Sequence, residues 1–135
     1  MLILINQFTS IVMQRLFASF RWAIQGFGYA ARTQPNFRIH LVLTVLVLIA
    51  SWWFKLSAGE WLWIVLSIVL VLSAELFNTS IELITDMVSP EINERAGRVK
   101  DMAAAAVTLC VVFALAVAGV IFVPRICLLF IVYAA

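Results

Sequence analysis

The chain has 135 residues, 65% of them apolar and 12% charged, with a mean hydropathy of +1.11. A soluble domain carries about 45–50% apolar and 25% charged residues, so the composition excludes one and implies a single small all-α membrane domain. The net charge is only +2; no nucleic-acid partner is expected, and the distribution of charge matters more than its sum.

The opening Met1-Leu2-Ile3-Leu4-Ile5 has no preceding positive charge and breaks at Asn6, the pattern of a poor signal peptide. From 8 to 31, Phe8, Phe17, Phe20, Trp22, Phe27 and Tyr29 alternate with Arg15, Arg21 and polar Gln and Ser. This predicts an amphipathic helix on a membrane surface, bent near Gly26 and Gly28. A polar junction from Thr33 to His40 contains Pro35, suited to a turn or a first helical turn. A first span is expected over 36–54, with Trp52 and Trp53 as an interfacial aromatic belt. After a polar loop from Lys55 to Glu60 come a second span over 61–88, a charged loop containing Pro90 and Gly97, and a third span over 98–123. Pro124 and Arg125 are expected to interrupt the last, leaving an apolar tail over 126–135 that is too short to span again. Cys110 and Cys127 lie in apolar runs and read as small buried hydrophobes.

Arg15, Arg21, Arg32 and Arg38 precede the first span, and Arg95, Arg98 and Lys100 separate the second from the third. The other side holds Lys55 and Arg125. The positive-inside rule then puts the N-terminus in the cytoplasm and the C-terminus outside.

The second span carries the chemistry. Glu75, Asn78, Glu82 and Asp86 are spaced 3, 4 and 4. On a helix they fall within an arc of roughly 80°. A polar stripe on an apolar helix is rarely left facing lipid. Glu75 lies about 21 Å along the helix from Trp61 and Glu82 about 31 Å, so Glu75 sits inside the lipid layer while Glu82 and Asp86 approach water. Such a stripe connects a lipid-borne group with a soluble reagent. Two carboxylates, an amide and a basic loop suit a divalent cation bridging phosphates. Lys100 and Asp101, at the start of the third helix, suit phosphate binding. On residue type alone, Glu82 and Asp86 more commonly solvate a helix end, and Lys100 equally suits a positive-inside anchor. There is no Gly-x-x-x-x-Gly-Lys-Ser/Thr loop, and His40 is the single histidine, so any nucleotide site is unlike a P-loop.

The motif Glu75-x-x-Asn78-x-x-x-Glu82-x-x-x-Asp86, followed by Gly97-Arg98-Val99-Lys100-Asp101, resembles the signature of the small prokaryotic lipid kinases, the diacylglycerol and undecaprenol kinase family. Asn36-Phe37-Arg38-Ile39-His40 resembles the branch often assigned to undecaprenol kinases. The similarity runs from about Arg15 to Val123. It implies ATP-dependent transfer of the γ-phosphoryl group to a lipid hydroxyl, diacylglycerol or undecaprenol, in a homotrimer with Mg²⁺. By the resemblance Glu75 is the general base, and Asn78 helps place the acceptor hydroxyl and the γ-phosphate. Glu82 binds the metal and, with Asp86, faces the nucleotide. Arg15 and Lys100 meet phosphates, Trp22 and Asp101 lie near the nucleotide base, and Glu91 lines the nucleotide pocket. Arg38 and His40 line the lipid entrance. The family usually has a glutamate, a second metal ligand that also faces the nucleotide, where this chain has Gln34; an amide oxygen is a neutral and weaker ligand. The tail after Pro124 has no counterpart in shorter family members.

Two other classes fit parts of the pattern. A proton-coupled carrier could use Glu75, Glu82 and Asp86 as a relay, but it would more often place acids through the full depth, and Trp61 to Ala74 has none. A non-enzymatic family member that lost activity through Gln34 fits the sequence as well.

Overall fold

The structure, a computed structural model, describes residues 2–134, and side-chain surroundings over 12–132. It contains four helices: α1 Leu2–Thr33, α2 Pro35–Trp53, α3 Ala58–Val88 and α4 Glu94–Ala134. The backbone divides into an N-terminal unit through Pro35 and a second unit from Asn36 onward.

In the first unit α1 is longer than the expected 8–31 and runs as helix through Gly26 and Gly28. Phe17, Phe20, Trp22 and Ile24 are exposed along it. It ends where the Gln34 amide donates to the Ala30 carbonyl at 2.9 Å and the Thr33 hydroxyl donates to the Tyr29 carbonyl at 2.9 Å. Pro35 then opens α2. The first helical position has no intrahelical partner for an N–H, so a residue lacking one costs nothing there.

The second unit is three apolar helices, each long and apolar enough to cross a membrane. α2 and α3 are joined by a tight turn. The Leu56 amide reaches the Ser51 carbonyl at 3.2 Å and the Lys55 amide reaches the Trp52 carbonyl at 3.1 Å, with Lys55 at φ 50°. This is a Schellman closure with lysine in the left-handed position usually held by glycine. It turns Leu56 inward, where it is buried with Ile64 and Ile121 against Val47, Phe54, Trp61, Ile68, Val117 and Phe122.

The expectation that the second span begins at Trp61 is too late. Ser57 and Glu60 form a reciprocal capping box, the Ser57 hydroxyl accepting from the Glu60 amide and the Glu60 carboxylate accepting from the Ser57 amide. Two of the free N–H groups at the helix start are thereby satisfied, and α3 begins at Ala58. Likewise the Asn93 side chain accepts from the Arg95 amide at 2.9 Å, and this cap starts α4 at Glu94 rather than at 98.

The larger correction concerns Pro124, which does not end the third helix: α4 continues to Ala134. Proline removes one N–H and crowds the preceding turn. The carbonyl whose helical partner the proline removes is that of Val120, four residues back. The Arg125 guanidinium braces the same turn, donating to the Ile121 carbonyl at 2.6 Å and to both oxygens of Glu60 at 2.8 and 2.9 Å. The same contact ties α4 to the start of α3.

α3 and α4 run antiparallel and pack most closely. Between apolar helices in lipid the hydrophobic drive is weak, and association rests on packing. Small residues allow close approach, and α4 supplies Ala103 on its buried face. The tilted pairs Phe54–Phe122 and Trp63–Phe113, at 6.0 and 6.3 Å between ring centres, add about 0.5–1.5 kcal/mol each. Ser51, Ser67 and Thr85 return their hydroxyl protons to carbonyls four residues back, which satisfies them within their own helix.

The antiparallel order puts the α2–α3 turn at one end of the unit and the α3–α4 loop at the other. In a background without Cys110 and Cys127, a cysteine at Ser57 is expected to react with an impermeant thiol reagent on intact cells, and one at Ser89 to react only after lysis. Equal reaction at both positions on intact cells would overturn the three-span arrangement.

Candidate active site

The helical period places Glu75, Asn78 and Thr79 on the inward face of α3, at 3%, 9% and 4% exposure. Glu82 is half-buried one turn further on and Asp86 is exposed. The stripe thus grades from buried to solvent along the helix.

At its buried end lies a cavity of about 270 Å³, lined by Asn36 and His40 of α2, Glu75 and Asn78 of α3, and Ala104, Val107, Thr108 and Val111 of α4. His40 Nε2 is 3.3 Å from Glu75 Oε1. Among the described residues no other side chain reaches the Glu75 carboxylate by hydrogen bond or ion pair. Asn78 Nδ2 donates to Glu82 Oε1 at 3.0 Å, while Asn78 Oδ1 and the Thr79 hydroxyl are buried without a partner among the described residues. A buried acceptor left open costs about 1–3 kcal/mol. The Asn78 amide thus commits one of its two N–H donors to Glu82, with its oxygen unpartnered among the described residues.

At the exposed end the α3–α4 loop encloses a second cavity of about 260 Å³, lined by Thr85, Asp86, Ser89, Pro90, Glu91, Ile92, Asn93, Ala96, Gly97 and Lys100. Lys100 Nζ is paired with Asp86 Oδ1. Asp101, the next residue on α4, is exposed, about 100° around the helix from Lys100. Glu75 and Asp86 are eleven residues apart, about 16 Å along α3, with Glu82 between the two cavities.

The expected site residues therefore fall into groups. Glu75, Asn78 and His40 meet in the inner cavity. Asp86, Glu91 and Lys100 meet in the loop cavity. Arg38 is exposed on α2. Arg15 and Trp22 are exposed on α1, and Gln34 stands at the α1–α2 junction; these three belong to the N-terminal unit. Among the described residues no three Asp, Glu, His or Cys side chains converge as a metal cage. Thr108 was not anticipated as a lining residue. It continues the face set by Lys100 and Ala104, each four residues on from the last, and that period was readable.

Asn78 is the hinge of the polar stripe. Asn78→Asp would turn a 3.0 Å donor–acceptor contact with Glu82 into two facing carboxylates. It is expected to lower stability in a denaturing-detergent titration by about 1–3 kcal/mol, with most of the loss recovered by adding Glu82→Gln. An unchanged unfolding midpoint would show that the contact does not form.

Residues 21–122 match the family model described as prokaryotic diacylglycerol kinase. The chain is 36% identical over 113 residues to an undecaprenol kinase of Bacillus subtilis, covering 84% of this chain and 92% of that protein. It is 39% identical over 114 residues to a diacylglycerol kinase of Synechocystis, covering 84% of this chain and 65% of that one. A diacylglycerol kinase of Escherichia coli K12 is 30% identical over 97 residues, covering 72% of this chain and 78% of the relative.

Proposed function

The chain belongs to the prokaryotic diacylglycerol kinase family, and from that premise we propose that it transfers the γ-phosphoryl group of ATP to the hydroxyl of a membrane lipid, with Glu75 as general base. It is a lipid kinase and a multi-pass membrane protein. The observation that carries the catalytic reading is a carboxylate held at 3% exposure in an apolar span, on the wall of a cavity it shares with Asn78. An acid at such depth is costly and is retained for function.

In this reading the acceptor hydroxyl enters the inner cavity from the lipid side. Its O–H bond breaks as Glu75 takes the proton, and the freed oxygen pair attacks the γ-phosphorus. The bond from phosphorus to the bridging β,γ-oxygen breaks, and ADP leaves with that electron pair. Asn78, held through one amide proton on Glu82, offers its second amide proton to the acceptor and γ-phosphoryl oxygens. Lys100 meets the phosphates from the loop cavity. Its exposed pair with Asp86 is worth about 0–1 kcal/mol, so exchanging that carboxylate for a phosphate costs little. Glu91 lines the same cavity, and Asp101, Arg15 and Trp22 are assigned to the nucleotide. Phosphoryl transfer needs positioning and charge neutralisation more than covalent help, and these side chains supply both.

The residues fit a magnesium ion. Magnesium is bound by one or two carboxylates plus substrate phosphates rather than by a protein cage, and Glu82 is a half-buried carboxylate with its second oxygen uncommitted among the described hydrogen bonds. The ion would neutralise charge on the phosphates, with Gln34 as an amide ligand. A homotrimer is part of the reading, because three spans enclose a polar stripe poorly on their own. Both diacylglycerol and undecaprenol are carried forward as acceptors, and the cytoplasmic leaflet of the inner membrane as the location.

The test is phosphorylation by purified protein in lipid bilayers with labelled ATP and magnesium, offered diacylglycerol and undecaprenol in parallel. Glu75→Gln is expected to lower kcat by at least 100-fold, since general base catalysis contributes about 10²–10⁴, with ATP–magnesium binding nearly unchanged. Glu82→Gln is expected to raise the magnesium requirement as well. If both variants only raise the lipid half-saturation concentration, the two roles are wrong.

Gln34→Glu isolates the metal reading. A second carboxylate is a stronger ligand for a hard cation than an amide, so the activity curve should move to lower magnesium concentration while Glu75 stays essential. A curve that does not move, with only stability altered, would remove Gln34 from the ligand set.

A further inference from the structure

His40 was expected at the lipid entrance, yet its ring lies against the carboxylate proposed as the base. We propose that His40 is the positioning residue of Glu75: its Nε2–H fixes Oε1 and so leaves the second carboxylate oxygen aimed at the acceptor hydroxyl. The proposal rests on the kinase reading above.

The geometry carries it in three ways. First, His40 Nε2 stands 3.3 Å from Oε1, and it is the only side chain that reaches this carboxylate by hydrogen bond or ion pair among the described residues. A contact of this length in the absence of substrate tightens in the reacting complex, as catalytic hydrogen bonds commonly do. Second, both residues line the inner cavity, and its α4 wall contributes only Ala104, Val107, Thr108 and Val111. The Thr108 hydroxyl is committed to the Ala104 carbonyl at 3.0 Å. No charged group from α4 competes for Glu75 there. Third, the hydrogen bond that Asn78 makes from the next turn goes to Glu82 and not to Glu75. A glutamate has three side-chain torsions to fix, and general base catalysis needs the accepting oxygen within about 2.6–3.2 Å of the proton it removes. His40 is the group that supplies this restraint.

Imidazole suits the task. As a neutral ring it presents one N–H donor, and the hydrogen bond it makes selects which nitrogen carries the proton. With Nε2–H turned to Glu75, the ring adds no competing acceptor at the carboxylate. Glutamine is the matched replacement, because its amide is also a neutral donor of similar reach, whereas alanine removes the donor altogether.

The experiment has a kinetic and a spectroscopic arm. In bilayers with saturating ATP and magnesium, His40→Ala is expected to lower kcat about 10–100-fold, with lipid KM changed less than about 3-fold, the pattern of an interaction used in the transition state. His40→Gln is expected to recover kcat to within about 5-fold of wild type. A raised lipid KM at unchanged kcat would return His40 to the lipid entrance and overturn the proposal. So would a His40→Gln variant no better than His40→Ala while both remain folded by detergent titration. Because the chain has one histidine, ¹⁵N-histidine labelling reports this ring alone. Its nitrogen shifts should show the Nε2–H tautomer and should move on Glu75→Gln; shifts that ignore Glu75→Gln would overturn the contact. Wild-type protein inactive on both lipids, with shifts that still respond to Glu75→Gln, would instead sink the kinase reading and leave the contact standing.

Discussion

A carboxylate held out of water inside an apolar helix is the constraint on which this molecule depends. Taking an ionised acid into a low-dielectric medium costs several kcal/mol unless a partner stands close, and Glu75 has 3% of its surface exposed. Its partner comes from a different helix, thirty-five residues away in the chain. The register between α2 and α3 must therefore be exact, and the turn between them sets it. The closure around Lys55 and the capping box of Ser57 leave four residues between the helices. They also drive Leu56 into the apolar cluster with Ile64 and Ile121. A slip of one residue there would rotate His40 by about 100° away from Glu75. Packing at one end of the unit thus positions a polar contact at the other.

The same stripe shows why depth and chemistry go together in this fold. Exposure rises from Glu75 through Glu82 to Asp86, and the character of the contacts changes with it. The buried contact is short of alternatives, so its geometry is restrictive. The exposed Lys100–Asp86 pair is weakly held, and its members are free to exchange partners. A lipid hydroxyl must meet the first kind of group and a soluble phosphate the second, and one straight helix presents both in order.

How much of this was legible in the sequence depended on range. The stripe from Glu75 to Asp86 was readable because it repeats with the helical period, and the three spans because apolar runs of that length have few other uses. Helix ends were misread where a side chain outside the apolar pattern decides them. Ser57 with Glu60 starts α3 early, Asn93 starts α4 early, and α4 runs on through Pro124, with the Arg125 guanidinium holding the Ile121 carbonyl in the same turn. That last contact also reaches Glu60, sixty-five residues away, and no local pattern encodes such a partner. The meeting of His40 with Glu75 was illegible for the same reason. Both residues were singled out, yet their contact depends on how two helices align.

The continuation of α4 beyond Pro124 has a consequence for the bilayer. α2 has 19 residues, and past its charged first turns α4 is apolar from Met102 to Val132 apart from Arg125, lengths of about 28 and 46 Å. A hydrocarbon layer of about 30 Å matches the first and falls far short of the second. No single thickness suits both helices, and α4 is anchored to α3 through Arg125 and Glu60, so it cannot slide freely to share the excess. Tilt, local thickening of the leaflet beside α4, or cover for its last turns must absorb the difference, at fractions of a kcal/mol per Å. The surrounding lipid is therefore an asymmetric boundary, stretched beside one helix and relaxed beside another, and the acyl-chain length of the host membrane becomes a variable in the stability of the fold.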